Sequence, residues 1–381
     1  MIPQIPYDTR SRPGRAPMLR ARNMSPRLGW APVVLAVAVT AAACDDDGNG
    51  EFLVRDSAGV RIATSRSPAW GGEPGWRLTE PSVVVRGADG TAYPMRVSGV
   101  HRFPDGRILV LDTATSRLRF HAAAGHHLRT VGGPGSGPGE YRSLDGVAVI
   151  DDSLWIWDRV LGRVSVLDME GRYLRSFRLE PTGDPLRPLR EYRLAGSMDD
   201  SRLVLVSGGE GTGTRRVAVG NLLYSRRGFL LDSIAVRAAA GPASAAAAAP
   251  RPAALAHADG MLYRSDAGAT QVAVYDHRDG LRRIIRAETA NVPALEPAHG
   301  HRIVVSERGS VWIQKHGRAR GAGPADWLVF DADGRWLGVV ESPRDARITR
   351  FEIHQVGPWG VLAVWRDRDD VEHVGVWPVT S

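Results

Sequence analysis

Residues 154–179 read LWIWDRVLGRVSVLDMEGRYLRSFRL. Leu154-Trp155-Ile156-Trp157 and Val164-Ser165-Val166-Leu167 are apolar or small on both faces. That pattern suits strands sandwiched between neighbouring sheets, since a sheet with one wet face alternates strictly. Tyr173 to Leu179 does alternate, as an outermost strand should. Asp168-Met169-Glu170-Gly171 joins the two kinds of strand, with the glycine supplying the positive φ of a tight turn. Asp145 to Ile150, just upstream, supplies a first strand, so the stretch completes a unit of four.

The unit recurs. Leu111-Asp112, Arg117, Gly125 and Val131 match Trp157-Asp158, Arg163, Gly171 and Phe177, each 46 residues later with no gap. Further turn glycines follow at Gly228, Gly280 and Gly334, and Leu128, Leu174, Leu231 and Leu337 stand three residues after four of the five. A repeat of about 50 residues that cannot bury its own faces means stacked sheets, as in a β-propeller. Outer strands at His127–Val131, Tyr173–Leu179, Phe229–Val236, Leu281–Arg286 and Trp336–Glu341 give five complete units. After them come three strands, Ile348–Val356, Val361–Trp365 and Val374–Val379, while Trp76 to Val85 is a spare strand near the start. Open sheet edges are hazards, so the expected fold is all-β: six four-stranded antiparallel blades, the last closed by the N-terminal strand. The propeller is placed at 76–381, an outer strap at 51–75, and an Ala/Pro-rich loop at 238–256. Residues 207–217 read as a glycine-rich hairpin insertion that lacks the lysine and spacing of a phosphate loop.

The start of the chain is an export signal. A basic n-region (residues 24–27), an apolar run from Leu28 to Val39 and Ala41-Ala42-Ala43 precede Cys44, and residues 1–43 are read as the leader, with Met18 or Met24 as alternative starts. Cys44 is the only cysteine, so no intramolecular disulfide can form. The chain carries a formal charge of +7, but residues 1–43 hold six arginines against Asp8, or +5, which leaves +2 for the remainder. Nucleic-acid binding, which needs a persistent basic stripe, thereby loses its support.

Two resemblances add to this. Ala41-Ala42-Ala43-Cys44 resembles a bacterial lipobox, with Ala41 where Leu or Val is usual. The resemblance implies lipidation of Cys44, firm membrane attachment, and a tether over residues 44–50. The junction Gly132 to Tyr141, GGPGSGPGEY, together with residues 55–62 and Trp76-Arg77-Leu78, resembles six-bladed propeller lipoproteins of the NHL-repeat type. That likeness speaks for the fold rather than the activity, because superfolds host many functions.

Relatives in the wider fold include lactonases and lyases that hold a metal in the central channel, which requires side chains converging from several blades. Only His101, His354 and Asp145 are placed to converge. The neighbouring His126-His127 points to opposite faces of its strand and does not chelate one ion. Trp155, Trp157, Trp312, Trp327 and Trp365 read as packing between blades. The expected protein is therefore an exported, lipid-anchored, monomeric binding or scaffold propeller. It presents a loop face to a protein or glycan in the periplasm or at the cell surface, with no cofactor. The alternative is a lactonase-like hydrolase or lyase using calcium or zinc in the channel.

Overall fold

The structure, a computed structural model, describes residues 52–71, 76–87, 96–181, 192–199, 202–207, 220–235, 254–265, 271–276, 280–288, 302–314 and 325–380. Among them the strands fall into six sheets. Blade one is β5 (Val97–Arg102), β6 (Ile108–Asp112), β7 (Arg117–His121) and β8 (His127–Gly132). Blade two is β9 (Gly146–Ile150), β10 (Ser153–Asp158), β11 (Arg163–Asp168) and β12 (Tyr173–Arg178). Blade three is β13 (Tyr192–Asp199), β14 (Arg202–Ser207), β15 (Gly220–Ser225) and β16 (Leu230–Ala235). Blade four is β17 (Ala254–Ala258), β18 (Met261–Ser265), β19 (Gln271–Tyr275) and β20 (Leu281–Ala287). Blade five is β21 (Ile303–Val305), β22 (Val311–Gln314), β23 (Trp327–Phe330) and β24 (Trp336–Glu341). Blade six is β25 (Arg350–Gly357), β26 (Gly360–Arg366), β27 (Glu372–Trp377) and, from the other end of the chain, β4 (Val83–Val84).

Each blade's first strand touches the next blade's, and β25 touches β5, so the inner strands form a ring around a channel. Closure rests on Val83 pairing with Val376 and Val84 with Gly375, extended by the Val85 N–H donating to the Val374 carbonyl at 2.8 Å. The closing strand is shorter than the sequence suggests. Trp76–Leu78 (β3) turns away to run parallel to β24 of blade five, and β28 (Val379–Thr380) joins β3 instead of prolonging β27. Further out, β1 (Phe52–Ser57) and β2 (Val60–Ser65) form a hairpin whose second strand runs parallel to β20 of blade four.

Turn chemistry explains the shared blade form. The glycines at 125, 171, 228, 280 and 334 all have φ between 78° and 93°. Asp168 and Asp331 each cap their turn by accepting two backbone N–H groups, from Glu170 and Arg172 and from Asp333 and Arg335. Between blades lie apolar layers. Trp155 and Trp157 of blade two meet Tyr192, Leu203 and Tyr224 of blade three, and Trp312 and Trp327 of blade five meet Phe351 and Trp365 of blade six. The Trp157 indole also donates to the Tyr192 carbonyl at 2.8 Å, a polar tie inside the apolar layer.

Candidate functional site

Strand direction alternates within a blade, so the connections sort onto two faces. Those between first and second and between third and fourth strands are two to five residues long. Those between blades run from eight residues (after Glu341) to eighteen (after Ala235), and two connections between second and third strands reach twelve. Connector length, and with it the capacity for side chains that answer to something other than the fold, therefore lies on one face.

At that face, near the seam between blades six and one, lies a small cavity of about 50 Å³ lined by Val97, Arg350, Glu352, Val364, Trp365, Arg366 and Glu372. Its side chains are tied to one another. Arg302, leading into blade five, donates to Glu352 at 2.7 Å, and Arg350 pairs with the same carboxylate. His354 stands 3.7 Å from Glu352. Arg366 donates to Glu372 at 2.5 Å and to Asp370 at 2.9 Å, and Glu372 also accepts the Val97 N–H at 2.6 Å, bridging the seam. Burial pushes the Glu352 carboxyl up, but the nearby His354 ring and the charges of Arg302 and Arg350 outweigh it and hold the group well below the usual carboxylate range. Such a carboxylate is a poor general base, because an effective one has a pKa near the working pH. The alternation Arg350-Phe-Glu352-Ile-His354 was the available sequence signal for this cluster, since it puts three polar groups on one face of a strand.

The residues singled out from sequence lie apart in their roles. His101 is on β5, edge-on to Phe103 at 5.1 Å, and burial lowers its pKa to about 4. His354 is on β25 beside Glu352. Asp145 precedes β9, where it accepts from Ser143 at 2.5 Å and pairs with Arg159 at 3.2 Å. A third inner-strand histidine escaped the sequence reading: His257 of β17 lies against Gly196 of blade three, and burial lowers its pKa to about 4 as well. Among the described residues no group of three or more His, Cys, Asp or Glu side chains is arranged to hold a metal ion. Cys44, and residues 238–253 of the Ala/Pro-rich stretch, lie outside the described residues.

At the opposite face the pairing of β7 with β8 sets His121 directly across from His127, their ring centroids 5.6 Å apart. The outer edges of the blades also differ. Leu128, Leu174 and Leu231 are 45%, 55% and 52% exposed, whereas the equivalent Leu337 is half-buried and, like Trp70 and Trp76, packs against the core shared by blades five and six.

Known proteins share this architecture. A sequence family described as a 6-bladed beta-propeller (DUF5128) matches residues 96–194. Among solved structures, a Bacteroides fragilis protein named as a candidate for export is 11% identical, with a TM-score of 0.53 over 84% of this chain and 100% of that one. A DUF4221-family member from Bacteroides vulgatus is 12% identical, also at 0.53, over 81% and 100%. Streptogramin B lyase reaches 0.43 at 10% identity over 81% and 89%, too distant to bear on chemistry. Among curated proteins no sequence matches this chain.

Proposed function

We propose that this protein is an exported binding propeller, held to a membrane through a lipid on Cys44, that presents its long-connector face to a protein or glycan and performs no chemistry of its own. The observation that carries this reading is the asymmetry between faces among the described residues: turns of two to five residues on one, and the connections at 133–145 and 342–349, of thirteen and eight residues, on the other. The side chains support it. Glu352 is held ionised by its arginines and His101 is held neutral by burial, so neither is poised to move a proton near neutral pH, and Glu372 is tied to Arg366. The Bacteroides fragilis protein of the same fold, named as a candidate for export, is consistent with the leader.

A photocrosslinking amino acid placed in the native chain tests this directly. Val160, 60% exposed in the connection between β10 and β11, lies on the long-connector face, and Arg227, in the β15–β16 turn, is exposed on the other. Irradiated cells are expected to yield a discrete adduct from position 160 and none from 227, both in the membrane fraction, with Cys44→Ala moving the protein to the soluble fraction. Adducts from 227 alone, or membrane retention of the Cys44→Ala protein, would refute the proposal.

A further inference from the structure

We propose that His121 and His127 form a two-histidine site for a divalent transition-metal ion at the short-turn face of blade one. Adjacent histidines on one strand point apart, and that excludes His126-His127 as a pair. The hairpin supplies a different partner. His127 of β8 is the register partner of His121 of β7, and residues directly opposed on one face of an antiparallel pair carry their side chains within contact distance. The two rings meet edge to face at 76° with centroids 5.6 Å apart. Two imidazoles bound to one ion at about 2.0–2.1 Å set their centroids roughly 5–6 Å apart at tetrahedral or slightly wider angles. The observed spacing falls in that range without rearrangement of the strands.

Both nitrogens of His121 point to the same conclusion. The residue is fully buried, 0% exposed, and neither Nδ1 nor Nε2 makes a hydrogen bond of good geometry, the Gly125 backbone standing close enough for a weak one at most. Buried polar atoms are nearly always satisfied, so an under-satisfied imidazole beside a second one calls for an account, and a shared ion satisfies it. His127 is oriented in the way metal-bound histidines usually are. Its Nε2 lies 2.8 Å from the Thr130 hydroxyl, which fixes the ring and leaves Nδ1 as the coordinating atom. Imidazole ligands suit zinc, copper and nickel rather than calcium or magnesium. Two protein ligands leave the remaining positions to water or to an added donor, so the site is an open one rather than a closed structural centre.

The test is calorimetric titration of the untagged, detergent-extracted full-length protein with Ni²⁺, Cu²⁺ and Zn²⁺. The expected result is one saturable site, with Cu²⁺ the tightest of the three, as the general affinity order requires. His127→Gln is expected to weaken it at least 10-fold and His126→Gln less than 2-fold. His121 is buried, so His121→Gln is read only if its melting curve matches that of His127→Gln. A spectroscopic readout stands beside it: the Cu²⁺ electron-paramagnetic-resonance spectrum should show coupling to two imidazole nitrogens, reduced to one in His127→Gln. Absence of saturable binding up to millimolar metal overturns the proposal. So does binding that survives His127→Gln, or that is lost in His126→Gln.

Discussion

The turn glycines separate two effects that a substitution usually mixes. Gly125 and Gly280 occupy the same place in blades one and four, with φ of 87° and 78°. An alanine at either must adopt a left-handed conformation, which costs about 1–2 kcal/mol. At Gly280 no other described residue lies within 4 Å of an added Cβ. At Gly125 the Cβ would stand 2.3 Å from the carbonyl oxygen of Val84, the closing strand of blade six. Contacts under 3.0 Å essentially never occur, so the strand must retreat by about 0.7 Å. That retreat strains three backbone hydrogen bonds: Ser82 and Val85 to blade six at 2.8 Å, and Arg86 to Gly125 itself at 2.9 Å. At about 0.5–1.5 kcal/mol each, their weakening adds roughly 2–4 kcal/mol. Gly280→Ala is therefore expected to lose about 1–2 kcal/mol and Gly125→Ala about 3–6. In thermal melting followed by near-ultraviolet circular dichroism, at roughly 2 °C per kcal/mol for a chain of this size, the two variants should differ by about 4–8 °C. Equal losses would refute the claim that the turn of blade one is pressed against the closing strand.

Trp157→Phe leaves the buried Tyr192 carbonyl without its donor and opens a void, so it should cost about 2–4 kcal/mol. Trp155→Phe, whose indole nitrogen has no partner, should cost less, and denaturant midpoints compare the two. His101 is buried with its pKa lowered from 6.5 to about 4, so between those values the unfolded chain binds the extra proton. Stability present above pH 6.5 is therefore lost as the pH falls towards 4, by up to about 3 kcal/mol, and His101→Gln should make the fall in melting temperature over that window shallower without abolishing it, because His121 and His257 carry the same linkage. Glu352 has the acidic version of the same linkage: its depressed pKa gives stability above about pH 4.3 that disappears on further acidification. Glu352→Gln should be less stable than the wild type at pH 7, and the gap should shrink at pH 3.

The fold was legible because its signals are local. The Asp-x-x-Gly turn at 168–171, the alternation in Tyr173–Arg178 and the strict spacing of blades one and two need no knowledge of the rest of the chain. Closure was legible by counting, since a sixth unit short of one strand and a spare strand upstream have a single economical solution. Its details were not. Nothing in Trp76-Arg77-Leu78 distinguishes a strand bound for blade five from one bound for blade six, because the choice depends on which edge is within reach after the turn at residues 79–82. Leu128 and Leu337 hold the same repeat position, yet one is exposed and the other half-buried, because the N-terminal segment runs along β24, where the Trp70 N–H donates to the Leu337 carbonyl at 2.8 Å. The candidate site was least legible. Arg302 and Glu352 sit 50 residues apart in different blades, and His121 meets His127 only after a register shift at the end of β7. Contacts of that kind follow from how sheets stack and slip, which no short window of sequence encodes.

The six-bladed ring is closed by the N-terminal strand in blade six, so cross-linking that closure is the most direct test of the fold. In a Cys44→Ser background, Val83→Cys with Val376→Cys puts two thiols on directly paired residues, about 5.5 Å apart between Cα atoms and within disulfide range. The folded protein is expected to form this bond on mild oxidation and then to melt at a higher temperature than its reduced form, whereas Val83→Cys with Val340→Cys, in blade five, does not form one. A bond between positions 83 and 340, or none between 83 and 376 in protein that remains folded, would contradict it.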